Sequence, residues 1–169
     1  GVINVITKTA ADINGTEYGM RAGSFNTRDA WIQHGGKLGP LDAAVYLGAG
    51  NTDGQDGIIQ QDAQTRMDAL FGTAVSLAPG SINAQNKSVD ARADLSYEAW
   101  RFRATYQQRE LGSGGGLGGS LDPYARTHPS RLYLDLSYDQ ANWAQDWDVS
   151  GVVGYFDIKD TPGNPTYTL

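Results

Sequence analysis

The sequence contains no cysteine, which excludes a disulfide framework and every metal site that depends on thiolate ligands. It has only two histidines, His34 and His128, and they fall in different elements, so we predict no metal site and no cofactor. No run of 18 apolar residues occurs, so the sequence predicts no transmembrane helix. The formal net charge is −6 and the arginines alternate with aspartates, which argues against nucleic acid as a partner.

Glycine and large aromatic residues are plentiful instead, with 22 Gly, 9 Tyr and 4 Trp in 169 residues. The glycines follow no fixed period, which excludes a collagen-like chain. The chain opens on Gly1-Val2 rather than on methionine and reaches a proline-containing stretch at residues 162–165. We therefore expect an internal piece of a longer protein.

The clearest pattern is a two-residue alternation between Val89 and Arg109, which predicts a β-hairpin. A helix would spread the same charges all round its surface. A two-residue connection at residues 98–99 would bring Tyr97 opposite Trp100 and Asp94 opposite Arg103. The apolar face would carry Val89, Ala91, Ala93, Leu95, Tyr97, Trp100, Phe102, Ala104 and Tyr106.

The same alternation extends along the chain and predicts seven strands with two long loops, at residues 51–87 and 110–130. Residues 9–15 are predicted as a connector, residues 25–27 as a tight loop and residues 139–146 as a turn. The first long loop carries apolar residues at helical spacing, with Asp62 as an N-cap and Gly72 as a stop, so we expect one short helix there. Short connections on one side and long loops on the other are typical of bacterial outer-membrane barrels.

A soluble β-sheet protein would also alternate, so four further features decide our interpretation. Predicted strands of about nine residues, tilted by about 40°, would span roughly 23 Å, close to the apolar band of a membrane barrel. The apolar face is rich in alanine, and the polar face carries both charge signs. Aromatic residues collect near the short turns, at Tyr97, Trp100, Tyr138, Trp143 and Trp147. We predict an all-β fold: an antiparallel up-and-down transmembrane β-barrel, incomplete in this chain.

The segment GVINVITK, at residues 1–8, resembles the end of the plug domain in TonB-dependent outer-membrane receptors. The resemblance implies that residues 1–12 close the plug and that residues 13–169 form the first strands of the barrel. It implies a Gram-negative outer membrane, contact with outer-membrane lipid, and coupling to the inner-membrane protein TonB through a part that this chain lacks. The ligand would be a small molecule or oligosaccharide; siderophore, cobalamin, saccharide and peptide receptors share the framework.

We consider six charged residues on the predicted polar face as a ligand-facing lumen surface: Asp90, Arg92, Asp94, Arg101, Arg103 and Asp135. The alternative is that these charges pair with one another or with the plug. We predict no catalytic residues, because no nucleophile elbow is present and the glycine-rich stretch at residues 114–119 lacks the strand–helix context of a dinucleotide site. A passive barrel or adhesin, and a secreted glycan-binding β-sheet protein, remain the rival hypotheses.

Overall fold

The computed structural model describes residues 8–112 and 119–160, and most of these residues lie in β-strands. In chain order the elements are α1 (Ala10–Ile13), β1 (Gly15–Gly23), β2 (Thr27–Leu38), β3 (Leu41–Thr52), β4 (Ile58–Ile59), α2 (Ala63–Phe71), β5 (Gly80–Ser81), β6 (Asn86–Tyr97), β7 (Trp100–Gly112), β8 (Arg126–Thr127), β9 (Ser130–Ala144) and β10 (Trp147–Lys159). The plug-like segment before Lys8, most of the glycine-rich stretch and the proline-containing stretch at residues 162–165 lie outside the described residues.

Seven long strands form one antiparallel sheet in the order β1-β2-β3-β6-β7-β9-β10, so each strand pairs with the next long strand of the chain. The short strand β8 pairs with β7, and β4 and β5 form a separate ribbon. The predicted all-β, antiparallel, seven-stranded arrangement is therefore confirmed. Across the described part of the chain the sheet is open, with β1 and β10 at its edges.

The central hairpin has the predicted register. Tyr97 pairs with Trp100, Ala93 with Ala104, and the two-residue turn places Glu98 in the left-handed region at φ 52°. The strands are longer than predicted, with 12 residues in β6 and 13 in β7. Because side chains alternate between the two faces along the whole paired length, the added residues extend both faces of the sheet.

Three local predictions were wrong. Residues 9–15 are not only a connector, because Thr9 and Asp12 form a capping box that starts the short helix α1. The loop between β1 and β2 covers residues 24–26, one residue earlier than predicted. Residues 139–144 continue β9 instead of turning; a register shift between Trp147 and Val149 accommodates the irregular end of this hairpin.

The two faces of the sheet differ sharply in composition. On the outer face, apolar side chains occupy successive outward positions along the strands. They are exposed, with exposed fractions of 84% at Met20 and 75% at Val153. The inner face, on which α1 lies, carries most of the charged residues of the long strands. No large side chain is completely buried in the residues that the structure describes, so no second protein layer covers the outer face there.

Helix α1 docks on the inner face through a close contact with a glycine. Ile13 is buried, and a Cβ atom on Gly35 would lie 2.6 Å from the Ile13 Cβ and 2.7 Å from the Ala10 carbonyl oxygen. Real Cβ atoms do not approach that closely, so only glycine at this position lets the helix lie against the sheet.

Replacing Gly35 by alanine should therefore displace α1, at a cost of about 1–3 kcal/mol for overpacking. We expect hydrogen exchange at the Ile13 and Asn14 amides, which donate to Thr9 and Ala10 carbonyls, to become about 5- to 100-fold faster. Gly36→Ala is the matched control, because its Cβ would meet nothing closer than the His34 Nε2 at 3.5 Å. Equal exchange in the two variants would contradict the docking contact.

Candidate functional site

The structure brings all six predicted site residues to the inner face, on three adjacent strands. Five of them line one open groove of about 770 Å³: Asp90, Arg92, Asp94, Arg103 and Asp135. Arg101 lies nearer the short turns and lines a neighbouring depression of about 530 Å³. Alternation along β6, β7 and β9 explains the grouping, since every second side chain points to the same face.

Ion pairs cross the strands of this groove. The Arg101 Nε lies 2.8 Å from an Asp94 carboxylate oxygen, and the Arg103 Nε lies 2.8 Å from Asp135. Farther along, the Arg109 Nη2 lies 2.9 Å from the Asp90 Oδ1, and the Gln107 amide donates to the same oxygen at 3.0 Å. The groove wall is thus a series of fixed charge pairs.

One predicted pair forms differently. Asp94 and Arg103 are register partners, as expected, but their side chains do not form an ion pair. Arg103 is the register partner of Asp94 on β6 and of Asp135 on β9, and its side chain pairs with Asp135. Asp94 pairs instead with Arg101, which lies two residues from Arg103 on β7. An arginine side chain is long enough to reach such a diagonal neighbour.

Arg92 differs from the other arginines of the groove because it forms no ion pair among the residues described. Its guanidinium lies 5.8 Å from the centre of the Tyr46 ring, within range of a cation–π interaction. Tyr46 was not among the predicted site residues. The alternation could have found it, because Tyr46 and Arg92 are register partners and therefore share a face.

Two aromatic rings of the inner face lie over glycines. A Cβ on Gly19 would come within 2.8 Å of the Trp31 indole, and a Cβ on Gly48 would lie 2.5 Å from the Tyr46 Oη. The missing side chains let both rings lie close to the sheet. Trp31, Tyr46 and Gly48 line a further depression of about 340 Å³ beside the main groove.

The two long loops are joined by hydrogen bonds at the end of the sheet away from the short turns. Helix α2 has Asp62 as its N-cap and Gly72 as its C-cap, as predicted. The Asp62 carboxylate accepts the Thr65 N–H at 2.7 Å and, from the second loop, the Leu121 N–H at 2.6 Å. The Asn83 side-chain amide donates to the Ala125 carbonyl at 2.8 Å, which makes a second link. Local sequence patterns give no signal for contacts between residues so far apart.

Helix α2 is held in position by hydrogen bonds to the carboxylates of Asp62 and Asp68 rather than by the packing of its apolar side chains. Burial raises the pKa of Asp62, but hydrogen bonds from the Leu121 and Thr65 N–H groups and from two hydroxyls outweigh it and bring the pKa to about 2. The pKa of Asp68 is also lowered, chiefly by the Thr73 hydroxyl and the Ser76 N–H. The apolar residues at helical spacing are exposed on the surface of the loop, and the exposed fraction of Leu70 is 72%.

Comparison with known proteins found no matching family model, no matching curated protein and no matching solved structure. Neither described helix is long and apolar enough to cross a bilayer. Within residues 8–112 and 119–160 no three potential metal-binding side chains come together. The site offers a concave polar surface with fixed ion pairs, one arginine without a carboxylate partner, two aromatic rings and a hydrogen-bonded cap of loops.

The Asp62→Asn substitution should loosen the link between the two loops. It removes the charge that two backbone N–H groups and two hydroxyls stabilise, at a cost of about 1.5–3 kcal/mol for charge-assisted hydrogen bonds. We expect hydrogen exchange at the Leu121 amide to become at least tenfold faster. Asp56→Asn, an exposed change in the same loop, should leave that exchange unchanged; an equal effect would exclude a specific link.

The wild-type link should also weaken in acid. Because the pKa of Asp62 in the folded protein is about 2, below its ordinary 3.8, its stabilising contribution is complete above about pH 4 and is lost as the pH falls toward 2. The protection factor of the Leu121 amide should follow this course in the wild type and should be nearly constant in Asp62→Asn.

Proposed function

We propose that this chain is part of a TonB-dependent outer-membrane receptor that transports a scarce ligand into the cell. The observation that carries the proposal is the outer face of the sheet, where apolar side chains occupy successive levels of seven strands with no protein layer over them in the described residues. In a barrel that face meets lipid. The segment at residues 1–8 resembles the end of a plug domain, and this resemblance favours the TonB-dependent family among membrane barrels.

The dimensions of the apolar band support contact with a bilayer. On β6 the outward apolar positions run from Val89 to Tyr97, and a strand tilted by about 40° covers roughly 20 Å over that length. Beyond Val89, the outward pair Lys87 and Glu110 is an ion pair at 3.0 Å. At the opposite end Tyr97, Trp100 and Tyr138 share one level, and the last two rings are 4.8 Å apart. Charged and aromatic borders of this kind mark the two interfaces of a membrane barrel.

The inner face then lines the lumen, and α1 lies where the end of a plug would enter it. In this arrangement residues 1–12 belong to the plug and residues 13–169 to the barrel wall. The linked loops stand at the end away from the aromatic border, which is the extracellular side of an outer-membrane barrel. They and the groove below them would take part in capturing the ligand.

A charge on the outer face should impair insertion far more than the same charge on the inner face. Ala104 lies midway along the outward band, so Ala104→Arg in the intact protein should cost about 2–4 kcal/mol of folding free energy in phospholipid vesicles. Thr105→Arg, one residue further and on the groove side, is the matched control and should cost less than about 1 kcal/mol. Urea titration of vesicle-folded protein measures both. Similar costs for both variants would rule out the proposed orientation.

Transport should depend on cellular energy. A strain lacking the gene should lose accumulation of one member of a panel containing a siderophore, cobalamin, an oligosaccharide and a peptide, and the wild-type gene should restore it. Dissipating the proton gradient should abolish the restored uptake, because ligand release by TonB requires energy in the proposed family. Uptake that persists without the gradient would instead identify a passive barrel.

A further inference from the structure

Arg92 lies between Asp90 and Asp94 along β6, and the carboxylates of both residues bond to other side chains. Asp90 holds Arg109 and Gln107, and Asp94 holds Arg101. Arg92 is exposed and has no carboxylate partner in the described part of the chain. At Arg92 the groove therefore presents a positive charge that is not paired with its acidic residues.

The guanidinium of Arg92 also lies beside an aromatic ring. It rests near the Tyr46 ring, and that ring can occupy its position because Gly48 has no Cβ to collide with the Tyr46 Oη. No hydrogen bond to the described residues occupies the N–H edge of this guanidinium. That edge is a planar fork which matches the two oxygens of a carboxylate.

Beside this arginine lies a depression lined by aromatic and charged side chains. Its lining includes Trp31, Tyr46 and Asp90, together with the Arg21–Asp29 ion pair. Tyr46 and Asp90 also line the groove that contains Arg92, so the two hollows adjoin each other. Their volumes, about 340 and 770 Å³, fall in the range of small-molecule sites.

We propose that these residues form a binding site for a planar aromatic carboxylic acid. Arg92 donates two parallel hydrogen bonds to the carboxylate, and the aromatic ring of the ligand lies against the exposed side of the Tyr46 ring, beside Trp31. Aromatic side chains favour offset or edge-to-face contact with such a ring. As a site for the transported ligand this assignment rests on the proposed function, whereas binding itself rests only on the groove.

Equilibrium titration of the intact protein in detergent micelles with terephthalate, a flat aromatic dicarboxylate, tests the site. Cyclohexane-1,4-dicarboxylate, which is not flat, and inorganic phosphate serve as comparison ligands. We expect terephthalate to bind at least about tenfold more tightly than either. Arg92→Gln should weaken terephthalate binding by about 10- to 100-fold, because it removes charge-assisted hydrogen bonds. Tyr46→Leu should weaken it by a smaller factor.

Arg28→Gln is the matched control, since Arg28 is an exposed arginine of β2 whose position faces outward, and it should bind terephthalate as the wild type does. Failure of the wild type to bind terephthalate, or unchanged binding by Arg92→Gln, would overturn the site. Equal affinity for all three ligands would overturn its preference for flat aromatic acids. Neither result bears on membrane insertion, which the outer-face variants measure separately.

Discussion

The pairing of each long strand with its neighbour along the chain is the constraint on which the structure depends. One register fixes which side chains meet at each level, and a shift of a single residue would exchange the two faces. In the absence of a second layer over the described sheet, its apolar side chains gain free energy only from the medium that covers them, at about 25 cal/mol per Å². Val153 and Phe156 are examples of large apolar side chains exposed on opposite faces of β10.

A polar pair among the apolar levels of the outer face fits this requirement. Thr16 and His34 are register partners on that face, and the Thr16 hydroxyl lies 2.8 Å from the His34 Nδ1. Polar groups in an apolar medium are costly unless they bond to each other. The inner face is organised in the opposite way, by ion pairs that add little stability individually when exposed but fix the positions of neighbouring side chains as a network.

Local alternation was sufficient to predict the long strands, because a half-buried or half-lipid strand repeats every two residues regardless of its partners. It also placed Arg92, Asp94 and Asp135 on one face. It could not predict that Arg103 would choose Asp135 over Asp94, since that choice depends on a strand about thirty residues further along the chain. Docking of α1 on Gly35, and the bond from Leu121 to Asp62, likewise depend on contacts that no local pattern records.

The inner face itself divides into two parts with different physical demands. From β3 to β9 it carries the ion pairs and the groove, but on β10 the inward positions include Val152 and Phe156, both largely exposed. Charged walls tolerate water, whereas apolar inward side chains gain free energy from being covered. In the proposed receptor the apolar part would therefore rest against the plug, and water and ligand would meet the charged part. The groove lies in the charged part, where the carboxylates of Asp90, Asp94 and Asp135 each pair with an arginine.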